Sequence, residues 1–290
     1  MNEIHRIYGE EIFFNFQEYN YSEIDQCSHL VKDLKAGNLD GFIMKNVFQP
    51  SEVEAVKSFL STMHEDDLMP TPSGKIFPSP FAIITDTAER LDSYYSQLAK
   101  LDVCSQNYLP VATLLDRLAR FFVEVGSDFK VSIPINKVKG KAVAPGTFRM
   151  FYPSMGGLHV HCGNLFQAQS MFFYSLIKND IEMDGQLSYF VVLQQSESGG
   201  ELTLYDMLWE NVKRKESPEN NEFVIDDAGN KIYVDALKSF AVKPQPGDIL
   251  VFSGGPIWHR VENITGLSPR ITFGGFLNFS KDGEELFYWS

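Results

Sequence analysis

Six histidines occur in this 290-residue chain, and three of them are placed to share a metal ion. His159 and His161 lie two apart in Gly157-Leu-His-Val-His-Cys-Gly-Asn164, so on a strand their side chains share a face. Much later, Pro246-Gly-Asp-Ile-Leu-Val-Phe-Ser-Gly-Gly-Pro-Ile-Trp-His259 reads as a tight turn, an apolar strand, a Gly-Gly turn and a return strand opening at His259. Arg270 follows on the next segment. Imidazoles from distant strands at the mouth of a β-barrel make a metal site. Two His and one carboxylate on one face of iron leave positions for a chelating cosubstrate and oxygen. A guanidinium one strand on would grip the far carboxylate of a dicarboxylate in a two-pronged pair. The plain alternative is a set of satisfied barrel histidines with a surface arginine, and the combination weighs against it. A cupin-type site would need a Glu soon after His161, but the next is Glu182.

The elements that must position these residues fall into two halves. Gly41–Phe48 reads as a strand and Pro50-Ser51 opens a helix, with Ser51 as N-cap and Glu54 completing a capping box. The end of another helix lies at Lys32–Lys35, and residues 65–85, punctuated by Pro and Gly, read as a loop. Residues 88–125 are helical in pattern. After Ser127, short apolar segments alternate with Gly, Pro, Asn and Asp turns. Strands are expected near 146–152, 157–162, 187–194, 201–205, 238–243, 248–252, 257–262, 270–279 and 285–289. A helix is expected near 165–177 and a polar excursion over 207–230. The expectation is an α+β chain: a jelly-roll, or double-stranded β-helix, barrel with flanking helices, mainly N-terminal. It reads as a single domain over 1–290, with 1–127 as helical support and pocket loop and 128–290 as the jelly-roll core.

Composition narrows the partners. With 38 acidic against 25 basic residues the net charge is −13, which argues against nucleic-acid polymers and anionic membranes. The 24 Phe and 12 Tyr suggest an aromatic-lined pocket for a hydrophobic small molecule. Three scattered cysteines fit a reducing, cytoplasmic setting rather than a disulfide framework. No secretion signal or membrane span is read in the sequence.

Further stretches add a resemblance. His161-Cys-Gly-Asn164, Gln186-Leu-Ser-Tyr-Phe190, Gly199-Gly-Glu-Leu202, Pro246-Gly-Asp-Ile-Leu250, His259-Arg-Val261, Ser268-Pro-Arg270 and Gly274-Gly-Phe-Leu277 are similar to segments of the 2-oxoglutarate oxygenase superfamily. Within it, they resemble the freestanding cyanobacterial halogenases of hapalindole and welwitindolinone alkaloid pathways. The likeness covers about 145–290 well and the N-terminal half weakly.

The resemblance implies Fe(II) held by His161 and His259, with 2-oxoglutarate, O2 and chloride as further cofactors. Gly163 stands where a hydroxylase carries the carboxylate ligand, and a halide would take the vacated position. The implied chemistry is aliphatic C–H chlorination through an iron(IV)-oxo halide, with 2-oxoglutarate converted to succinate and CO2. Arg270 would hold 2-oxoglutarate; Arg149 would help to hold cosubstrate or substrate. Ser188 matches a serine that orients the oxidant, Phe166 a substrate-pocket aromatic, and Ile76 and Phe77 a pocket-lining segment. Asn164 is either a donor to the halide or a turn cap. The alternatives are a hydroxylase completed by Glu201 or Asp206, a nucleotide halogenase, and a non-catalytic binding module. No carrier protein is expected, because no basic patch for an acidic carrier is evident.

Overall fold

The computed structural model describes residues 14–81, 88–169, 175–177, 179–212, 214–216, 223–226 and 228–290. Two sheets face one another. In the larger, the strand order is Phe16–Asn20, Gly41–Lys45, Ile249–Phe252, Leu187–Gln194, Arg270–Phe279, Thr147–Phe151, Gly74–Phe77 and Met69–Thr71. Glu285–Trp289 pairs with the far half of Arg270–Phe279 and with Lys130–Ser132. The smaller sheet runs Ser239–Val242, Leu202–Leu208, Ile257–Val261, Leu158–His161. Among the described residues the pairing does not run continuously from one sheet into the other, so the jelly roll is two facing sheets rather than a closed barrel.

Alternation along the strands builds the layers. On Leu187–Gln194, Leu187, Tyr189, Val191 and Leu193 join the helix-side core. Phe190 turns the other way, into an inter-sheet cluster with Ile43, Leu202, Leu204, Leu250, Phe252 and Ile257. The outer face of the smaller sheet buries Val160, Cys162, Tyr205, Met207 and Trp258. Val212 and Val224, from the excursion over 207–230 read as polar, and Val234 just after it also join that cluster. Two strands within the excursion, Arg214–Glu216 and Phe223–Ile225, form a three-stranded meander with Lys231–Tyr233 just after it.

Helices Pro50–Ser61, Ala88–Asn107 and Leu109–Val125 cover the large sheet. Leu109–Val125 buries Val111, Leu114, Leu118, Phe121, Phe122 and Val125, one apolar stripe at helical spacing. The 88–125 segment breaks at Tyr108 because Pro110 has no N–H to continue the preceding ladder. The helix Pro50–Ser61 is capped two residues before the expected Ser51: Gln49 is the N-cap, and its capping box is closed by Glu52 rather than Glu54. The 65–85 segment is not all loop. Met69–Thr71 and Gly74–Phe77 form a hairpin docked onto Thr147–Phe151, a pairing that local Pro and Gly content does not reveal. Residues 82–85 of that segment lie outside the described ones. The helix expected at 165–177 is seen as Gly163–Gln169, and 170–174 lie outside the described residues. No described helix is long and apolar enough to cross a membrane.

Candidate active site

His161 and His259 are direct cross-strand partners in the smaller sheet, and their ring centroids are 4.3 Å apart. Each ring is oriented from its own strand. Nδ1 of His259 meets the carbonyl of Ile257 at 2.8 Å, and Nδ1 of His161 meets that of His159 at 2.6 Å. With Nδ1 donating, the lone pair lies on Nε2, the tautomer that a metal requires. Burial pulls His259 down to about 4, so its imidazole is neutral at neutral pH. His159 contributes its carbonyl, while its side chain is exposed at the rim. Cys162 faces the outer cluster, where burial pushes its thiol up to about 12.

No third ligand joins the pair: among the described residues no three His, Cys, Asp or Glu side chains form a metal-binding group. Glu201 is paired with Lys243 at 3.3 Å, and Asp206 is exposed. The two imidazoles therefore fit a metal that keeps open positions for other ligands.

Gly163 sits two residues beyond His161, tied by its N–H to the carbonyl of Gly254 at 2.8 Å. A Cβ built on Gly163 would lie 2.3 Å from Oε1 of Gln186 and 3.0 Å from Cα of Gly255. Asn164 donates its backbone N–H to Gly255, and its buried Oδ1 has no hydrogen-bond partner. Ser188 lies against the other glycine of the turn, since a Cβ on Gly254 would meet its Oγ at 2.2 Å. The Gly254-Gly255 turn read from the sequence thus lets the His259 strand, Gly163 and the Gln186–Phe190 strand approach closely. Ser188 also pairs across the ladder with Phe252, whose ring packs edge-on to His259 at 5.0 Å. Phe166, 40% exposed, places its ring 5.3 Å from that of His161.

Two arginines lie on the inter-sheet face of the large sheet. Arg149 pairs across the ladder with Thr272 and donates to the carbonyl of Gly274 at 2.8 Å. Arg270 packs over the Phe190 ring at 5.0 Å. Burial lowers both guanidinium groups to about 10, and Arg149 adds like-charge repulsion at Arg270. Two buried cations close enough to repel one another create strong demand for an anion.

Ile76 and Phe77 separate. Ile76 is the ladder partner of Arg149 and shares its face, whereas Phe77 is fully buried in the helix-side core. Phe77 points to the opposite side from Ile76, as neighbours on a strand do, and there lines a cavity with Phe59, Met63 and Tyr108. Gln186 was not singled out in the sequence; its signal was parity, since it precedes Ser188 by two on the same run.

The fold has relatives among solved structures. An N-substituted L-amino acid dioxygenase from Burkholderia ambifaria AMMD, in complex with alpha-KG, aligns with TM-score 0.51 and 16% identity over 90% of each chain. A 2OG-Fe(II) oxygenase family oxidoreductase from Burkholderia pseudomallei aligns with TM-score 0.46 and 11% identity, over 96% of this chain and 99% of that one. The first of these carries the fold likeness, a 2-oxoglutarate oxygenase jelly roll. Among curated protein sequences, none matches the chain. The family described as carrier-protein-independent halogenase WelO5 matches residues 13–290. The chain belongs to that family and is an Fe(II)- and 2-oxoglutarate-dependent halogenase.

Proposed function

We propose that this halogenase chlorinates an aliphatic carbon of a freestanding, hydrophobic, alkaloid-like small molecule. The observation that carries the reading is Gly163: beside two paired imidazoles, the position that could bear a carboxylate bears none. Among the described residues no other group completes the set. In this reading His161 and His259 hold Fe(II), which with 2-oxoglutarate and O2 supplies the power to oxidise an unactivated carbon. Gly163 leaves a ligand position for chloride. Arg270 binds the far carboxylate of 2-oxoglutarate, and Arg149 adds a second positive charge nearby. Ser188, beside Gly254 and Phe252, orients the reacting ligands, and Asn164 faces the anion. Phe166 and Ile76 contribute apolar wall. The half-exposed Phe166 ring beside His161 supports an apolar substrate entering at that rim.

Mass spectrometry of products, with chloride and then with a non-coordinating anion in its place, tests the reading. Chlorinated product only in the first condition is expected. Hydroxylated product alone, in saturating chloride and on a substrate that is turned over, would overturn it.

Arg270→Ala is expected to raise the KM for 2-oxoglutarate on the order of 100-fold, the equivalent of about 3 kcal/mol of lost charge-assisted hydrogen bonding. Arg260→Ala is the control: it lies on the outer side of its strand, held by Glu262 at 2.8 Å and Asp235 at 3.1 Å. Equal effects from the two would refute the assignment. Ser188→Ala is expected to retain iron and shift the chlorinated-to-hydroxylated product ratio; an unchanged ratio would remove Ser188 from the site's machinery.

A further inference from the structure

Gly199-Gly-Glu-Leu202, one of the stretches singled out in the sequence, has no part in the site described so far. Both of its glycines adopt positive φ, 73° and 74°. The 196–200 segment is stitched to the 263–269 segment, which runs directly into Arg270. The Ser198 carbonyl accepts from the N–H groups of Thr265 and Gly266, at 3.0 and 3.2 Å, and the Ser198 and Thr265 hydroxyls meet at 3.0 Å. Glu197 accepts from the N–H of Leu267 at 2.9 Å. A Cβ on Gly199 would collide with the carbonyl of Asn263. Gly200 faces Arg270 itself: a Cβ there would lie 3.3 Å from Cδ of Arg270, 3.2 Å from Ile264 and 2.5 Å from the Ser196 hydroxyl. The guanidinium also packs over the Phe190 ring at 5.0 Å. Among the described residues no ion pair fixes Arg270, and the charge acting on it is that of another cation, Arg149. Arg270 borders a cavity of about 210 Å³ together with Phe190, Ser196 and Gly200. A long side chain beside open space, with no ion pair, keeps its pose through the surfaces that it touches.

We propose that Gly200 is a positioning residue for Arg270 and, through it, sets the fit of the far carboxylate of 2-oxoglutarate. The inference rests on the reading of Arg270 as the arginine that binds this cosubstrate. Two-pronged pairing of a guanidinium with a carboxylate depends on angle as well as distance. A side chain at 200 would press on Cδ, just below the fork, and the stem would have to give by a few tenths of an ångström. With glycine there, the backbone of the turn itself lies close against the arginine stem.

The test is an anaerobic calorimetric titration of the Fe(II)-loaded protein with 2-oxoglutarate, together with KM and kcat from succinate formation. Gly200→Ala is expected to weaken 2-oxoglutarate binding and raise its KM roughly tenfold, with kcat close to wild type, the split that a loss of uniform binding gives. Gly37→Ala is the control for backbone strain, because Gly37 has a φ of 72° and nothing within 4 Å of a built Cβ. It should lower the melting temperature and leave the 2-oxoglutarate constants at wild-type values; an equal rise in KM there would assign the effect to strain and overturn the role. Ser196→Ala combined with Gly200→Ala removes the hydroxyl that the added methyl would strike and keeps the press on Arg270. The same loss of binding is expected of that pair, which carries the test if the single variant fails to fold. In an Arg270→Ala background, Gly200→Ala is expected to add nothing, because both act through one side chain. Additive losses, or wild-type 2-oxoglutarate constants in folded, iron-loaded Gly200 variants, would overturn the positioning role alone. Wild-type affinity in Arg270→Ala would instead overturn the reading of Arg270 itself.

Discussion

Gly163→Asp is expected to keep its iron and lose chlorination. The substituted carbon would press on Oε1 of Gln186, the movable end of a side chain, and meet Cα of Gly255 at 3.0 Å. The backbone there requires no positive φ, so strain is confined to repacking, at about 1–3 kcal/mol. Once Gln186 swings aside, the carboxylate adds a hard oxygen ligand beside His161 and His259 and competes with chloride by volume and by like charge. Chlorinated product should fall on the order of 100-fold, the factor that about 3 kcal/mol of competition produces. Iron content should be unchanged or higher, and residual turnover should give hydroxylated product or uncoupled succinate. Quantifying iron, succinate and both products separates these outcomes. Undiminished chlorination would place the halide elsewhere and leave Gly163 as a close-approach glycine only.

The second large effect concerns the histidines. If His161 and His259 are the two protein ligands, as proposed, removal of either leaves one imidazole, too little to retain Fe(II). His161→Ala and His259→Ala should each weaken iron binding by more than the roughly 10- to 100-fold that loss of a supporting hydrogen-bond partner costs. Succinate formation should disappear with the metal. His159→Ala is the internal comparison, because its carbonyl orients His161 and survives the substitution. Calorimetric titration with Fe(II) under anaerobic conditions reads the three together. An intact His161→Ala variant beside a dead His159→Ala variant would reverse the ligand assignment.

Sequence patterns served unevenly. The strands 187–194, 270–279 and 285–289 end where the apolar alternation ends, because each meets a turn residue and each is buried on at least one face. The strand Phe16–Asn20 escaped notice: its parallel pairing with Gly41–Lys45 is tertiary, and Gln17, Glu18 and Asn20 mask any periodicity. The docked hairpin of Met69–Phe77 was hidden for the same reason. That His161 and His259 would meet could be read from the sequence, because histidines are few and each opens or closes a strand. Ile76 and Phe77 were read as a unit, and only the strand pairing reveals that they face opposite layers. Gln186 was harder, since a glutamine ahead of a strand has no chemistry of its own until Gly163 is seen opposite it.

Among the described residues Leu158–His161 is an outermost strand of the smaller sheet, with its ladder to Ile257–Val261 on one side only. An ion shared by His161 and His259 would therefore be a clasp at an edge of the smaller sheet, closing a chain loop between residues far apart in sequence. Binding to the closed state alone stabilises it in proportion to the logarithm of ligand concentration. Cofactor supply would then set the lifetime of the protein as well as its turnover. Starved of iron, the edge would peel first and expose backbone donors and acceptors to solvent, to proteases and to neighbouring chains.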